Sequence, residues 1–360
     1  MTLNINMEKD ELLENYFTER NLSQSAQVIY RRCVRYFENI TGTSIIDCLN
    51  IADTEEENNI RWKNTHLRKW LINYRKWCYE NYKKSTAHLY YVTIIGLFRH
   101  YEITVETLPR FSTKQTQPSI PINPDLMVDR DILKLCIETN SNKLFKACVL
   151  LMSSSGISRI DTVNLQIKDY LNACEANNLK DIDTETVPTW WLTRQKTGQS
   201  YYTFSSPEST QAIQNYLLTR EDITPDKPLF DIHPRWLSYL FKETNDKLGL
   251  GKNGPYSRFA PHMLRRYHAT QLIAAGVSEG KVDLLQGRKP HSIAYNSYIK
   301  VKPSELKEEY IRALPFIVVD DVNKVKSELD IVKEENNVLK SREEQLFDIL
   351  ERIERLENGL

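Results

Sequence analysis

His262-Met263-Leu264-Arg265-Arg266 opens a stretch that continues through Leu284-Leu285-Gln286-Gly287-Arg288 to Tyr298. On a helix, His262 and Arg265 are three residues apart and share a face. The stretch then adds a basic residue at a turn and a tyrosine. A tyrosine hydroxyl is a poor nucleophile at neutral pH, because its ordinary pKa lies near 10. Cations that hold a phosphodiester lower the cost of the phenolate and stabilise the charge that grows on the phosphorus oxygens. These residue types together suit attack of a tyrosine on a phosphodiester.

Two pieces upstream extend the pattern. Gly156-Ile157-Ser158-Arg159-Ile160-Asp161 follows the apolar run Ala147–Met152. Arg194-Gln195-Lys196-Thr197-Gly198 lies between Trp190-Trp191-Leu192 and Tyr201-Tyr202-Thr203-Phe204, which reads as two strands joined by a glycine-containing turn. The order Arg, Lys, His-x-x-Arg, basic turn, Tyr resembles the tyrosine recombinase (phage integrase) family over roughly residues 10 to 300. His262-Met263-Leu264-Arg265-Arg266-Tyr267-His268-Ala269-Thr270 is close to that family's His-x-Leu-Arg-His-x-x-Ala-Thr box. Leu284-Leu285-Gln286-Gly287-Arg288 looks like its Leu-Leu-Gly-His box, with Arg288 in the last place. That arginine, and the Thr203-Phe204 ending of the hairpin, look most like integrases of archaeal viruses and plasmids.

The resemblance implies a site-specific recombinase that breaks and rejoins double-stranded DNA as a tetramer, without metal, ATP or other cofactor. It implies that Arg159 and Arg265 clamp the phosphate, with His262 and Arg288 completing the pocket. Lys196 would be the general acid and Tyr298 the nucleophile, while Asp161 would orient the basic residues. Two departures stand out. The family's first arginine follows its glycine by two residues, where this chain has Ser158; Arg159 comes one residue later. On a helix one residue turns a side chain by about 100°, so Arg159 serves only if the preceding turn is rewound. There is also one extra residue between Arg288 and Tyr298, which leaves Tyr295 as a competing nucleophile. A type IB topoisomerase and a non-catalytic DNA-binding protein on the same fold are the alternatives.

The chain of 360 residues is 41% hydrophobic and 27% charged, a composition that suits two globular domains plus an extension. No apolar run approaches the ~20 residues needed to cross a bilayer, and Met1–Asp10 lacks a signal-peptide core, so a cytoplasmic, DNA-associated protein is expected. Cysteines 33, 48, 78, 136, 148 and 174 show no metal-site spacing, which fits scattered reduced thiols. Net charge is zero, but the charge is unevenly placed. Arg61, Lys63, Arg68, Lys69, Arg75, Lys76, Lys83, Lys84 and Arg99 face the single acid Glu80 between residues 61 and 101. Such a face, with Trp62, Trp70 and Trp77 interleaved, can neutralise phosphates and release counterions.

A mainly α fold is expected. Residues 8–110 predict a helical DNA-binding domain with helices over Glu11–Arg20, Ser25–Asn39, Asn64–Tyr82 and Thr86–Tyr101, the last N-capped by Ser85. Residues 111–124, with Pro118, Pro121 and Pro124, read as a linker. Residues 125–319 predict a mostly helical catalytic domain with one small sheet, whose hairpin carries Lys196. Over 320–357 a heptad repeat predicts a coiled-coil helix. Val322, Leu329, Asn336, Glu343 and Leu350 take the a positions; Val325, Val332, Leu339, Leu346 and Ile353 take d. Glu328 and Glu335 at g stand against Lys333 and Lys340 at e, as in a parallel dimer. A single helix folded back on its own domain is the other reading.

Overall fold

Ser23, Ser44 and Thr65 each begin a helix for the same reason. Their side-chain oxygens accept hydrogen bonds from the backbone N–H groups of Ala26, Asp47 and Arg68, which a helix start leaves unpartnered. The structure, a computed structural model, describes residues 8–112, 121–288 and 301–357. It divides into two compact units between Pro121 and Ile122. The first unit holds helices α1 (Lys9–Glu19), α2 (Gln24–Thr41), α3 (Ile45–Glu57), α4 (His66–Asn81) and α5 (Lys84–His100). Its core gathers Leu12, Tyr16, Phe37, Leu71, Tyr74 and Phe98, with the Phe37 ring edge-on to those of Tyr74 and Phe98.

The structure departs from the sequence reading of this unit in two places. Helix α3 was not anticipated, although Ile45, Cys48, Leu49 and Ala52 are buried at helical spacing behind the Ser44 cap. Ser85 is not a cap: α5 starts at Lys84, two residues earlier than expected, and the N-cap residue Lys83 makes no side-chain capping bond. Trp62, Trp70 and Trp77 are half-buried and pack against the core, while Arg61, Lys63, Lys69, Lys76, Lys84 and Arg99 are exposed. Arg75 is also diverted, donating to the Pro109 carbonyl at 3.0 Å and lying over the Phe111 ring.

The second unit opens with α6 (Arg130–Thr139), α7 (Lys143–Ser155), α8 (Arg159–Val163) and α9 (Ile167–Ala173). The expected hairpin follows, with β1 (Thr189–Thr193) antiparallel to β2 (Ser200–Phe204) and Trp191 opposite Tyr202. Next come α10 (Pro207–Leu217), α11 (Pro234–Lys247), the short strands β3 (Lys252–Asn253) and β4 (Tyr256–Ser257), α12 (Pro261–Ala274) and α13 (Glu279–Leu285). The β3–β4 pair was not foreseen. Helices α14 (Pro303–Ile317) and α15 (Asp321–Glu357) end the chain. Helix α7 is the central strut. Its residues from Ala147 to Ser155 are all buried, and it packs against α10, α12 and β2. Side chains fasten its last turn: Tyr310 donates to the Ser154 carbonyl at 2.8 Å and Thr203 to that of Ser155 at 2.7 Å.

The base of α15 is anchored on the same unit. Glu208 accepts from the backbone N–H groups of Val319 and Asp320, both at 3.0 Å. Asp321 pairs with Arg130 at 2.5 Å and Lys134 at 2.6 Å, and Lys326 pairs with Glu185. A cavity of about 340 Å³ lies under the first turns, lined on the helix side by Asn323, Lys326, Ser327, Asp330 and Ile331. The heptad seam is another face of the helix. Val322, Val325, Leu329, Val332, Leu339, Leu346, Leu350 and Ile353 are all exposed, so the seam is not folded back on its own unit. Among the described residues no helix is long and apolar enough to cross a membrane.

Candidate functional site

The site is built around the C-terminal end of α7. Gly156 ends that helix in the left-handed conformation (φ 66°), and an added Cβ would lie 2.6 Å from Nδ1 of His268. The turn leaves the Gly156 carbonyl to accept from Nη1 of Arg265 at 2.6 Å. Nη2 of Arg265 donates to the carbonyl of Gln286. Gln286 returns the contact, its Nε2 donating to the Arg265 carbonyl at 2.8 Å and lying 3.0 Å from Nδ1 of His268. Burial, and then the charges of Arg194 and Arg288, push the Arg265 guanidinium down to about 10. It remains a cation at neutral pH.

Two more guanidinium groups reach the same short segment. Arg194, at the end of β1, donates from Nη1 to the carbonyl of Gly287 at 3.3 Å. Arg288 is the next residue, held to Asp283 through its backbone N–H at 2.8 Å and by an ion pair at 3.7 Å. Tyr201 on β2 closes the floor: its ring stacks under Gly287, where an added Cβ would lie 2.6 Å from Cδ1. The Tyr201 hydroxyl is buried without a hydrogen-bond partner among the described residues, and burial, then the nearby Asp161 carboxylate, raises its pKa.

His262 begins the helix that carries Arg265. It is half-buried, its ring edge-on to Tyr256 at 4.3 Å, and among the described residues its Nε2 has no partner. Burial, reinforced by Arg266, lowers its pKa, so the ring is neutral at pH 7. His268 is fully buried and pushed down to about 3, first by burial and then by Arg265 and Arg288. The positive charge of the pocket is therefore carried by arginines.

Asp161 joins two arms of the site. One carboxylate oxygen accepts from the Ser158 hydroxyl at 2.7 Å, the other from the backbone N–H of Gln195 at 3.1 Å. That bond holds the hairpin turn, which is closed by Arg194 N–H to the Gln199 carbonyl at 2.9 Å and Gly198 N–H to the Arg194 carbonyl at 2.8 Å. Lys196 stands exposed at the tip of this turn.

The anticipated residues thus divide. Arg265 and Arg288 converge, with His262 one turn away from Arg265. Arg159 is different: α7 ends at Gly156, and Ser158, with extended backbone, caps α8, which Arg159 begins. The Arg159 guanidinium donates to the hydroxyl of Ser238 on α11. Tyr295 and Tyr298 lie outside the described residues. Arg194, Tyr201 and Gln286 belong to the site although residue types alone did not mark them. For Arg194 a signal existed, because alternation along β1 buries Trp190 and Leu192 and puts residue 194 on the same side. Among the described residues no cluster of His, Cys, Asp and Glu is placed to hold a metal ion.

No family profile and no curated protein sequence matches the chain. Solved structures do. A lambda integrase tetramer bound to a Holliday junction matches at TM-score 0.52 and 14% identity, over 81% of this chain and 78% of that one. The Tn1549 transposon integrase in complex with a circular intermediate DNA matches at TM-score 0.50 and 14% identity, over 84% and 98%. XerA recombinase is 19% identical over 84% and 98%, with a TM-score of 0.35. The first two establish a mainly α integrase fold.

Gly287 is the tightest point of the pocket, with φ at 59° and no room above Tyr201. Gly287→Ala should destabilise the fold by at least about 1–2 kcal/mol and shift Tyr201. Urea unfolding followed by tyrosine and tryptophan fluorescence reads both; an unchanged midpoint would mean that the ring moves aside at no cost.

Proposed function

We propose that the protein is a site-specific DNA recombinase that cleaves and rejoins DNA through a 3′-phosphotyrosyl link. The observation that carries this reading is the convergence of Arg265 and Arg288 on one short segment, on a fold shared with integrases. The buried Arg265 guanidinium, held by neutral carbonyls, and the half-buried Arg288 beside it form an electrostatic socket for a phosphate. In this reading, Arg265 and a second arginine grip the non-bridging oxygens, while Arg288 and neutral His262 complete the socket. The Tyr298 oxygen bonds to phosphorus and releases its proton, the 5′ oxygen departs, and Lys196 protonates it. Tyr201 is excluded as nucleophile: its buried hydroxyl has a raised pKa, so its phenolate is costly. Arg159 fills the role of second arginine only if its bond to Ser238 breaks. Arg288 and the Thr203-Phe204 ending support an affinity with integrases of archaeal viruses and plasmids.

The exposed cations of α4 and α5 would hold the DNA backbone, and the exposed seam of α15 would pair with a second copy of the chain. A non-catalytic DNA-binding protein is the second reading, favoured by the Arg159–Ser238 bond.

A pool of random-sequence duplexes, each nicked in one strand, tests the reading without a known target. Wild-type protein should leave SDS-resistant protein–DNA adducts, and sequencing them gives the cleaved site. Tyr298→Phe should give none while binding DNA equally well. Adducts that persist in Tyr298→Phe but vanish in Tyr295→Phe would reassign the nucleophile. No adduct from wild-type protein that binds DNA tightly would leave the binding-module reading.

Removing a general acid slows a reaction by roughly 10²–10⁴-fold, and Lys196→Ala should slow cleavage on that scale. A substrate with sulfur at the 5′-bridging position needs no proton on its leaving group, so it should be far less sensitive. Equal loss on both substrates would make Lys196 a simple phosphate contact.

For the tail, full-length protein should sediment as a dimer at micromolar concentration, and Leu339→Glu, a charge in the seam, should sediment as a monomer with cleavage of single sites intact. A wild-type monomer at high micromolar concentration would remove the pairing role.

A further inference from the structure

Three guanidinium groups crowd the segment Gln286-Gly287-Arg288: Arg265 on the first carbonyl, Arg194 on the second, Arg288 the third residue itself. The carboxylates nearby do not balance them. Asp283 is engaged with Arg288 at 3.7 Å, and Asp161 holds Ser158 and Gln195. Like charges repel strongly in a partly desolvated site, so this arrangement favours an anion that is shared among them. The Tyr201 ring lies against Gly287, and its buried hydroxyl, near Asp161, Arg265 and Arg194, has no hydrogen-bond partner among the described residues.

We propose that Arg194, rather than Arg159, is the second arginine that grips the scissile phosphate together with Arg265. The inference rests on the recombinase reading above. Position supports it. Arg194 is half-buried and, among the described residues, its guanidinium commits one nitrogen, at 3.3 Å, to the Gly287 carbonyl, so a second edge is left to meet two phosphate oxygens. Its backbone is fixed by the closed turn and by Asp161, which grips the adjacent Gln195 N–H. Asp161 thereby acts as a positioning residue for Arg194. Arg159, the first residue of α8, also commits one nitrogen, but to the Ser238 hydroxyl on α11 and not to the segment that holds Arg265. An arginine two residues before Lys196 thus stands in for the arginine that Ser158 replaces. One hairpin would carry both the phosphate grip and the proton donor.

The test uses full-length protein and the duplex recovered from the random pool, under single-turnover conditions. Arg194→Ala should slow adduct formation by about 10²–10³-fold, the loss typical of one donor to a developing oxyanion. Arg194→Lys should recover only part of it, because an ammonium cannot grip two oxygens side by side, and Arg159→Ala should lose less than Arg194→Ala. A neutral methylphosphonate at the cleaved position removes one anionic oxygen. On that duplex the Arg194→Ala deficit should shrink to about tenfold or less, whereas an arginine of purely structural role would lose equally on both substrates. Arg194→Ala within about threefold of wild type, with Arg159→Ala inactive, overturns the proposal. If wild-type protein forms no adduct at all, the recombinase reading fails separately. Calorimetric titration with inorganic phosphate at constant ionic strength then still decides: weaker binding in Arg194→Ala keeps Arg194 in an oxyanion site, and equal binding removes it.

Discussion

A guanidinium withdrawn from water has to be met by acceptors, and in this chain backbone carbonyls meet it. Arg265 is 9% exposed and bonds to the carbonyls of Gly156 and Gln286. Because a buried cation without acceptors is strongly destabilising, these bonds constrain three elements at once. The end of α7 must turn left-handed at Gly156 so that its carbonyl faces Arg265. Helix α12 must present residue 265 inward, and the segment after α13 must run past it with Gln286 and Gly287 in register. Gln286 answers with a bond to the Arg265 backbone, so the segment cannot drift without breaking two contacts. The pocket, the floor under Gly287 and the approach of Arg194 all follow from that placement.

The same network sets the pH behaviour of the pocket. His262 and His268 both have lowered pKa values, His268 down to about 3, while Arg265 at about 10 stays charged. Between roughly pH 7 and 9 the charge of the pocket is therefore constant. The sign for stability follows from His268. Its pKa is depressed in the folded state, so the unfolded chain binds the proton more readily. Stability is full above the ordinary histidine value near 6.5 and falls as pH drops from there toward about 3.

Much of the fold could be read from residue patterns, and the failures have physical causes. The hairpin was legible because Trp190 and Leu192 alternate with exposed Trp191, and the tail because its apolar residues recur every seven. Helix α3 ends in Glu55-Glu56-Glu57, a charged run that masks its apolar face in the sequence, yet Glu55 is buried and accepts from the His66 N–H at 2.9 Å. Ser85 misled because a serine next to a helix start is a common cap, and the helix simply began earlier. In the site, the pattern named Arg265 and Arg288 but not their company. That Arg194 reaches the Gly287 carbonyl depends on the parity of a strand and on a turn whose Gln195 N–H is held by Asp161. Counting residues from a glycine cannot supply that.

The tail has mechanical meaning as well. Residues 321–357 contain neither glycine nor proline and form one helix of 37 residues, about 55 Å long at 1.5 Å per residue. Its root is held on two sides, by Asp321 on Arg130 and Lys134 and by Lys326 on Glu185. A flexible linker would transmit only tension between whatever it joins. A stiff rod clamped at one end also transmits torque, so a grip on its outer half would rotate α6 and the body behind it. Because that clamp is made of partly exposed ion pairs, its rigidity should fall as ionic strength rises.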